Sequence, residues 1–316
     1  MNNVKQRENW VDLLKFLACL MITNSHCRTI YPYSFLAIGG GFGNALFFAI
    51  SGYLLVNVRH PFTGWYARRC GRIIPITMVF VVINEMLCGG THLVGNEAGD
   101  FFRFYLNEYW FSFAIIVYYC IYYFIFQNSS EKVVYYSFFA WLIVYVVLYA
   151  TVLDVSKFSV ELGGFSLFKV YFYFGAMLVG GLLRKKKGAI QIFLNKNPWI
   201  KGVLVGGMLL SFVGWISEYM AITVFDTAYQ LQFLIHFFVL IFTTTIVILA
   251  WCYEVKSRCI IANIANSTLE IYLVQITYFS FHVKVGFPYN WLLFWGVAIL
   301  GGLGVHSCVD GLKRRK

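Results

Sequence analysis

Charge is scarce in this 316-residue chain: Asp, Glu, Lys and Arg make up 12% of it, against about 25% in an ordinary soluble domain. With 60% hydrophobic residues and a mean hydropathy of +0.70, that scarcity excludes a soluble globular protein and predicts a polytopic membrane protein. No linker, low-complexity segment, fixed-period repeat or soluble domain is visible. Any chemistry therefore belongs in a helical bundle or at its two mouths. The eight cysteines form no C-x-x-C pair and fall mostly in apolar runs. They read as small buried hydrophobes, with no metal site and no disulfide framework. A net charge of +11 would suit nucleic acid, but no basic patch interleaves with a soluble fold, so nucleic acid is not expected as a partner. The short basic N-terminus leads into an apolar run broken by Asp12 and Lys15, with no small-residue cleavage site after it. An uncleaved first span is the expectation.

What is present is a series of apolar runs. At ~20 residues per span, ten are expected: 11–29, 37–57, 73–90, 108–127, 133–153, 166–183, 200–217, 229–252, 267–283 and 289–308. The basic residues test the count. Lys5, Arg7, Arg59, Arg68, Arg69, Arg72, Lys132, residues 184–187, Lys196, Lys201, Lys256, Arg258 and residues 313–316 fall on one side of the alternation. Arg28, Arg103, Lys157, Lys169 and Lys284 fall on the other. The positive-inside rule then places both termini in the cytoplasm. The fold expected is an all-α polytopic bundle of about ten transmembrane helices, forming one integral-membrane domain over 1–316. Its longest extramembrane pieces are an outer segment near 91–107 and a cytoplasmic turn at 184–199.

One stretch stands out against this apolar background. Residues 11–27, VDLLKFLACLMITNSHC, carry Asp12, Lys15 and His26, and ionisable groups inside a span mark a functional site by default. Lys15 and His26 are eleven positions apart. On a helix they lie within ~20° of one face and roughly 16 Å apart along the axis. Asp12 shares that face and suits pairing with Lys15. His26 is the candidate for proton exchange near neutral pH, against the alternative of a histidine satisfied by packing. A second cluster, Arg68, Arg69 and Arg72, stands before the third span. Arg69 and Arg72 project from one helix face, and guanidinium forks suit phosphate oxygens; a plain positive-inside anchor is the competing reading. Ser51-Gly52 is a small pair that lets another helix approach closely. His236 and Glu270, inside spans, read as packing or hydrogen-bonding groups.

Together these pieces resemble the membrane acyltransferase 3 family, which includes bacterial O-acetyltransferases of surface polysaccharides and lipopolysaccharide. The resemblance is carried by D-x-x-K-x10-H in the first span, FFAISGYLL at 47–55 and RRCGRIIP at 68–75. Tyr109-Trp110-Phe111 and the stretch NSTLEIYLVQ at 266–275 agree with it. It implies that His26 is the catalytic histidine and that Lys15 fills the basic position of the R/K-x10-H motif. It also implies that Arg69 and Arg72, with Arg68 beside them, engage an acyl-CoA donor, acetyl-CoA above all. Asp12, Ser51 and Trp110 take supporting places. No permanently bound cofactor and no metal are implied. Two departures stand out: many relatives carry Arg at the position of Lys15, and many carry His where Gln275 stands.

The function these implications describe is transmembrane O-acylation. An acyl group passes from cytoplasmic acyl-CoA to a hydroxyl of an exported or lipid-linked polysaccharide, with His26 as base or acyl carrier, in a multi-pass protein of a bacterial inner membrane. Glu85, thirteen residues beyond Arg72 in an outward-running span, is the candidate partner of His26, against the alternative of a solvated interface carboxylate. A homo-oligomer or partners in a polysaccharide-assembly complex are compatible with this reading. The competing class is a transporter or flippase of a lipid-linked glycan. Broken helices are characteristic of that class, and no discontinuous helix pair is expected here.

Overall fold

The computed structural model describes residues 8–56, 60–87, 89, 98–127, 130–160, 165–253, 258–281 and 283–314. Of the basic residues used for orientation, Lys5, Arg7, Arg59, Lys256, Arg315 and Lys316 lie outside them. Among the described residues the regular structure is entirely helical. In hydrocarbon each backbone N–H and C=O must be satisfied within the protein, and an apolar run of ~20 residues does so on its own as a helix. In chain order the helices are α1 (Asn9–His26), α2 (Gly40–Leu54), α3 (Phe62–Leu87), α4 (Ala98–Phe126), α5 (Glu131–Thr151) and α6 (Leu167–Lys196). There follow α7 (Ile200–Thr223), α8 (Phe233–Cys252), α9 (Cys259–Asn266), α10 (Thr268–Ser280), α11 (Tyr289–Gly296) and α12 (Gly302–Arg314), with a π-helical segment, Val297–Gly301, leading into α12.

Among the described residues eight helices are long and apolar enough to cross a membrane, or nine if the bent pair α9–α10 counts as one span. The protein is an all-α polytopic membrane protein. The expected first span folds as the 18-residue helix α1, but Asp12, Lys15 and the polar run 23–26 leave it outside that set. Three expected boundaries shift. The turn expected at 184–199 is helical as far as Lys196, because Arg and Lys are good helix formers and the helix outlasts its apolar run. Part of the outer segment near 91–107 is helical, since α4 starts at Ala98, and Tyr109 breaks the helix with φ −114° and ψ 24°. The ninth span is not straight: α9 and α10 meet at 66° across Ser267. The expectation of no discontinuous helix pair is thus overturned. Ser267 is fully buried, its N–H reaches the carbonyls of Asn263 and Ile264, and its hydroxyl donates to the Asn263 carbonyl at 2.9 Å. Those bonds close the last turn of α9 before the chain turns.

The chain divides into two compact units, one of residues 1–47 and 247–316, the other of residues 48–246. In the first, α1 packs on α9 and α10, while α10 packs on the π segment and α12. Cys19, Ile264, Ile271 and Ala298 form one core cluster, with Phe16 and Leu303 against it. Gly302 has no room for a Cβ beside the Ile271 backbone, so α12 and α10 touch main chain to main chain. In the second unit, α2 and α6 meet in the same way: a Cβ on Gly52 would strike the Met177 carbonyl, and one on Gly180 the Ala49 carbonyl. This is the close approach that small residues permit in membranes. Outward-facing residues such as Phe139, Ile143, Leu210 and Val213 are exposed, as a face toward lipid requires. Cys19 and Cys27 pack as small hydrophobes, whereas Cys259 and Cys308 are exposed; Cys88 lies outside the described residues.

Candidate functional site

Helix α1 runs unbroken from Asn9 to His26, so Lys15 and His26 keep the roughly 16 Å separation and shared face that helical geometry dictates. Asp12, in the first turn, is buried with 3% of its surface exposed, and its charge there complements the positive end of the helix dipole. Lys15 is half-buried. His26 is the last α-helical residue before a 3-10 turn, Cys27–Thr29. Its half-buried imidazole meets the Tyr272 ring edge-on, centroids 6.3 Å apart.

One turn before His26, the Thr23 hydroxyl donates to the Cys19 carbonyl at 2.8 Å and accepts from Gln275 Nε2 at 2.5 Å. Tyr272 and Gln275 are three apart on α10 and therefore share a face. That face meets the C-terminal end of α1. Gln275 Oε1 is buried and has no hydrogen-bond partner among the described residues. Gln275, in sequence only a departure from the pattern of the relatives, is thus a direct neighbour of the histidine-bearing helix.

The loop after His26 is tied back to α1 through Asn24. Its Nδ2 donates to the Leu36 and Ile38 carbonyls, 2.9 Å each, and its Oδ1 accepts from the Tyr31 hydroxyl at 2.7 Å. Trp291 Nε1 donates to that same hydroxyl at 2.9 Å. Burial pushes the Tyr31 hydroxyl above its ordinary value, opposed by the Trp291 hydrogen bond, so the phenol remains a donor at neutral pH. Elsewhere in this unit, Glu270 is buried in the first turn of α10 and lies 3.0 Å from His306 Nδ1, whose Nε2 is 3.4 Å from Asp310.

The other candidates belong to the second unit. Arg68, Arg69 and Arg72 lie on α3; Arg68 and Arg72 are exposed and Arg69 is half-buried. The Arg69 guanidinium lies 5.8 Å from the ring centroids of both Trp65 and Tyr119. Those rings hold the side chain by cation–π attraction while its neighbours remain accessible. Pro75 in the same helix lacks an N–H, which deprives the Gly71 carbonyl of its intrahelical donor. Glu85 is fully buried, which removes the solvated-interface alternative. Asn84 beside it donates to the Tyr109 hydroxyl. Ser51 is half-buried on α2 beside the close approach of Gly52.

Trp110 stacks on Tyr173 at 5.7 Å and receives the Lys169 ammonium 4.4 Å from its ring centroid. Lys169 has only 6% of its surface exposed. In the sequence Lys169 is legible only as an outer-side basic residue at the start of the expected span 166–183; the structure places it three residues after Ser166, the N-cap of α6, in the first turn of that helix. Arg184, counted in the sequence only among the cytoplasmic-side basic residues, donates to the Tyr53 hydroxyl at 2.7 Å and lies 4.8 Å from that ring. His236 is a packing group: it stacks on Phe172 at 3.6 Å and shares a hydrogen bond with the Tyr145 hydroxyl at 3.0 Å. Among the described residues no group of three or more His, Cys, Asp or Glu is placed to hold a metal ion.

No curated protein and no solved structure matches the chain significantly. A family model described as an acyltransferase domain, Acyl_transf_3, matches residues 8–309, a range that takes in α1 with its histidine, the arginines of α3 and the broken span α9–α10. The chain belongs to the acyltransferase 3 family of membrane proteins.

Proposed function

We propose that this protein is a transmembrane O-acyltransferase that moves an acyl group, acetyl above all, from cytoplasmic acyl-CoA to a hydroxyl of an exported or lipid-linked polysaccharide. The observation that carries the reading is the family match across 8–309. The half-buried His26 at the end of α1 supports it. An imidazole that is partly shielded yet reachable suits proton transfer. In one route His26 takes the proton of the acceptor hydroxyl as the oxygen attacks the thioester carbonyl. The C–S bond breaks, the ester C–O bond forms, and the proton ends on the CoA sulfur. In the other, a His26 nitrogen attacks the thioester carbonyl, the C–S bond breaks and CoA leaves as the thiol with the imidazole proton. The acceptor oxygen then attacks the acyl-imidazole, the N–C bond breaks, and the hydroxyl proton returns to the imidazole. Arg69 and Arg72, with Arg68, bind the donor's phosphates through charge-assisted hydrogen bonds. Lys15 supplies a positive charge on the His26 face of α1, and Glu85 is the acidic group assigned to orient the histidine. Both termini are cytoplasmic, and the membrane is a bacterial inner membrane. The donor is a co-substrate, and no resident cofactor takes part.

The broken span favours a transporter, since such helices line substrate paths in that class, and polar residues within spans fit both classes. Donor dependence separates the two. Purified protein in liposomes is given radiolabelled acetyl-CoA and glycan acceptors, with label transfer, free CoA and donor binding as readouts. Wild type transfers label; His26→Ala abolishes transfer and retains donor binding; Arg69→Ala/Arg72→Ala weakens donor binding. A well-folded wild type that neither binds nor consumes acetyl-CoA overturns the proposal.

A further inference from the structure

Within the first unit a cleft of about 260 Å³ is lined by Thr29, Ile30, Tyr278, Phe279, Val283 and Asn290. Thr29 ends the 3-10 turn that follows His26, and Tyr278 lies six residues along α10 from Tyr272, whose ring touches His26. Six residues of helix span ~9 Å, so the cleft opens within a short reach of the imidazole.

Its chemistry is selective. Among the described residues that line it none is charged, which favours a neutral ligand over a phosphate, a nucleotide or the CoA head. A hydrocarbon chain would leave the Thr29 hydroxyl and the Asn290 amide without partners, a costly arrangement. The Tyr278 hydroxyl donates to Asn290 Oδ1. That bond orients the amide, and its Nδ2 has no acceptor among the described residues. Phe279, packed on Phe294 with centroids 5.3 Å apart, supplies an aromatic wall. An aromatic face beside a neutral donor and a hydroxyl matches a ring with C–H bonds on one face and hydroxyls at its rim. The volume lies below the ~300–1,000 Å³ of pockets for drug-sized ligands, so it suits one sugar residue better than a run of several.

We infer that this cleft seats the neutral sugar ring bearing the acceptor hydroxyl. Phe279 lies against its C–H face, and Asn290 Nδ2 and Thr29 Oγ1 bond to ring hydroxyls. The inference rests on the acyltransferase reading above and adds where the acceptor sugar sits and which side chains hold its neutral ring.

The test uses the full chain in liposomes with methyl glycopyranosides of glucose, galactose, mannose and rhamnose. Binding is read from tryptophan fluorescence, because Trp291 and Trp295 pack on the cluster around Tyr278, and transfer is read from labelled acetyl-CoA. Asn290→Ala removes a donor, and Thr29→Tyr fills the cleft from an exposed position that the fold tolerates. At least one glycoside binds wild type. Asn290→Ala weakens that binding and raises the acceptor KM about tenfold, the value of one hydrogen-bonding group. Thr29→Tyr does so at least as strongly by occupying the cleft, and the donor KM is unmoved in both. Failure of every glycoside to bind, or binding and acceptor KM untouched by both variants, overturns the acceptor site even if transfer proceeds. Sugar binding lost in both variants, in a wild type that never consumes acetyl-CoA, keeps the site and overturns the acyltransferase reading instead.

Discussion

Thr23→Val tests the join between α1 and α10 without touching His26. The substitution keeps the side chain's shape and removes a hydroxyl that donates to the Cys19 carbonyl and accepts from Gln275 Nε2. Gln275 is 1% exposed and its Oε1 already lacks a partner among the described residues. Removing the hydroxyl therefore leaves both ends of a buried amide unsatisfied. Such groups cost about 1–3 kcal/mol each in proteins, while interhelical hydrogen bonds in membranes average only ~0.6 and reach ~1.7 kcal/mol. A loss of about 1–2 kcal/mol is expected for Thr23→Val. Gln275→Leu behaves differently. It replaces an amide already half unsatisfied by an apolar group of similar size, and Thr23 keeps its bond to Cys19, so the change is near neutral. The double variant then recovers most of the Thr23→Val loss, a coupling of about 1 kcal/mol. The assay is unfolding in mixed detergent micelles by SDS titration, followed by tryptophan fluorescence for all four proteins of the cycle. Gln275→Leu as destabilising as Thr23→Val, or additive effects in the double variant, would refute the assigned contact.

Three further outcomes follow from contacts elsewhere. Gly180→Val places a side chain against the Ala49 carbonyl and separates α2 from α6; a loss of about 3 kcal/mol or more, beyond the usual 1–3 for overpacking, is expected in the same titration. Lys169→Met removes the ammonium from the Trp110 ring while filling similar volume. A largely desolvated cation–π contact is worth about 2 kcal/mol, offset by release from burying a charge, so the net change stays under ~2 kcal/mol and Trp110 emission shifts; unchanged emission in a folded variant contradicts the contact. Asn24→Ala strips the hub that holds Tyr31, Leu36 and Ile38. At about 1 kcal/mol per bond, protease cleavage within 27–38 accelerates markedly while the α3 segment stays protected.

Composition and the length of the apolar runs settled the class of this protein, because runs of ~20 apolar residues suit spanning helices, whereas a barrel strand needs only about ten. The spacing of Lys15 and His26 was equally legible, since eleven residues on one helix fix both rise and azimuth whatever surrounds them. The family followed from the same short motifs and was then met across 8–309. What escaped the sequence depends on direction. The 66° break at Ser267 has neither Pro nor Gly to announce it, and is made by backbone and hydroxyl bonds that form only in the folded chain. Gln275 meets Thr23 across 252 residues, and Glu85 is buried although its place near the end of an apolar run was equally compatible with solvent. Lys169 was legible only as an outer-side charge at the start of a span, and its contact with the Trp110 ring was not. Hydropathy sums along one dimension, so it determines which segments enter the membrane; which face of each helix meets which neighbour is decided by packing, and only the tertiary structure holds that information.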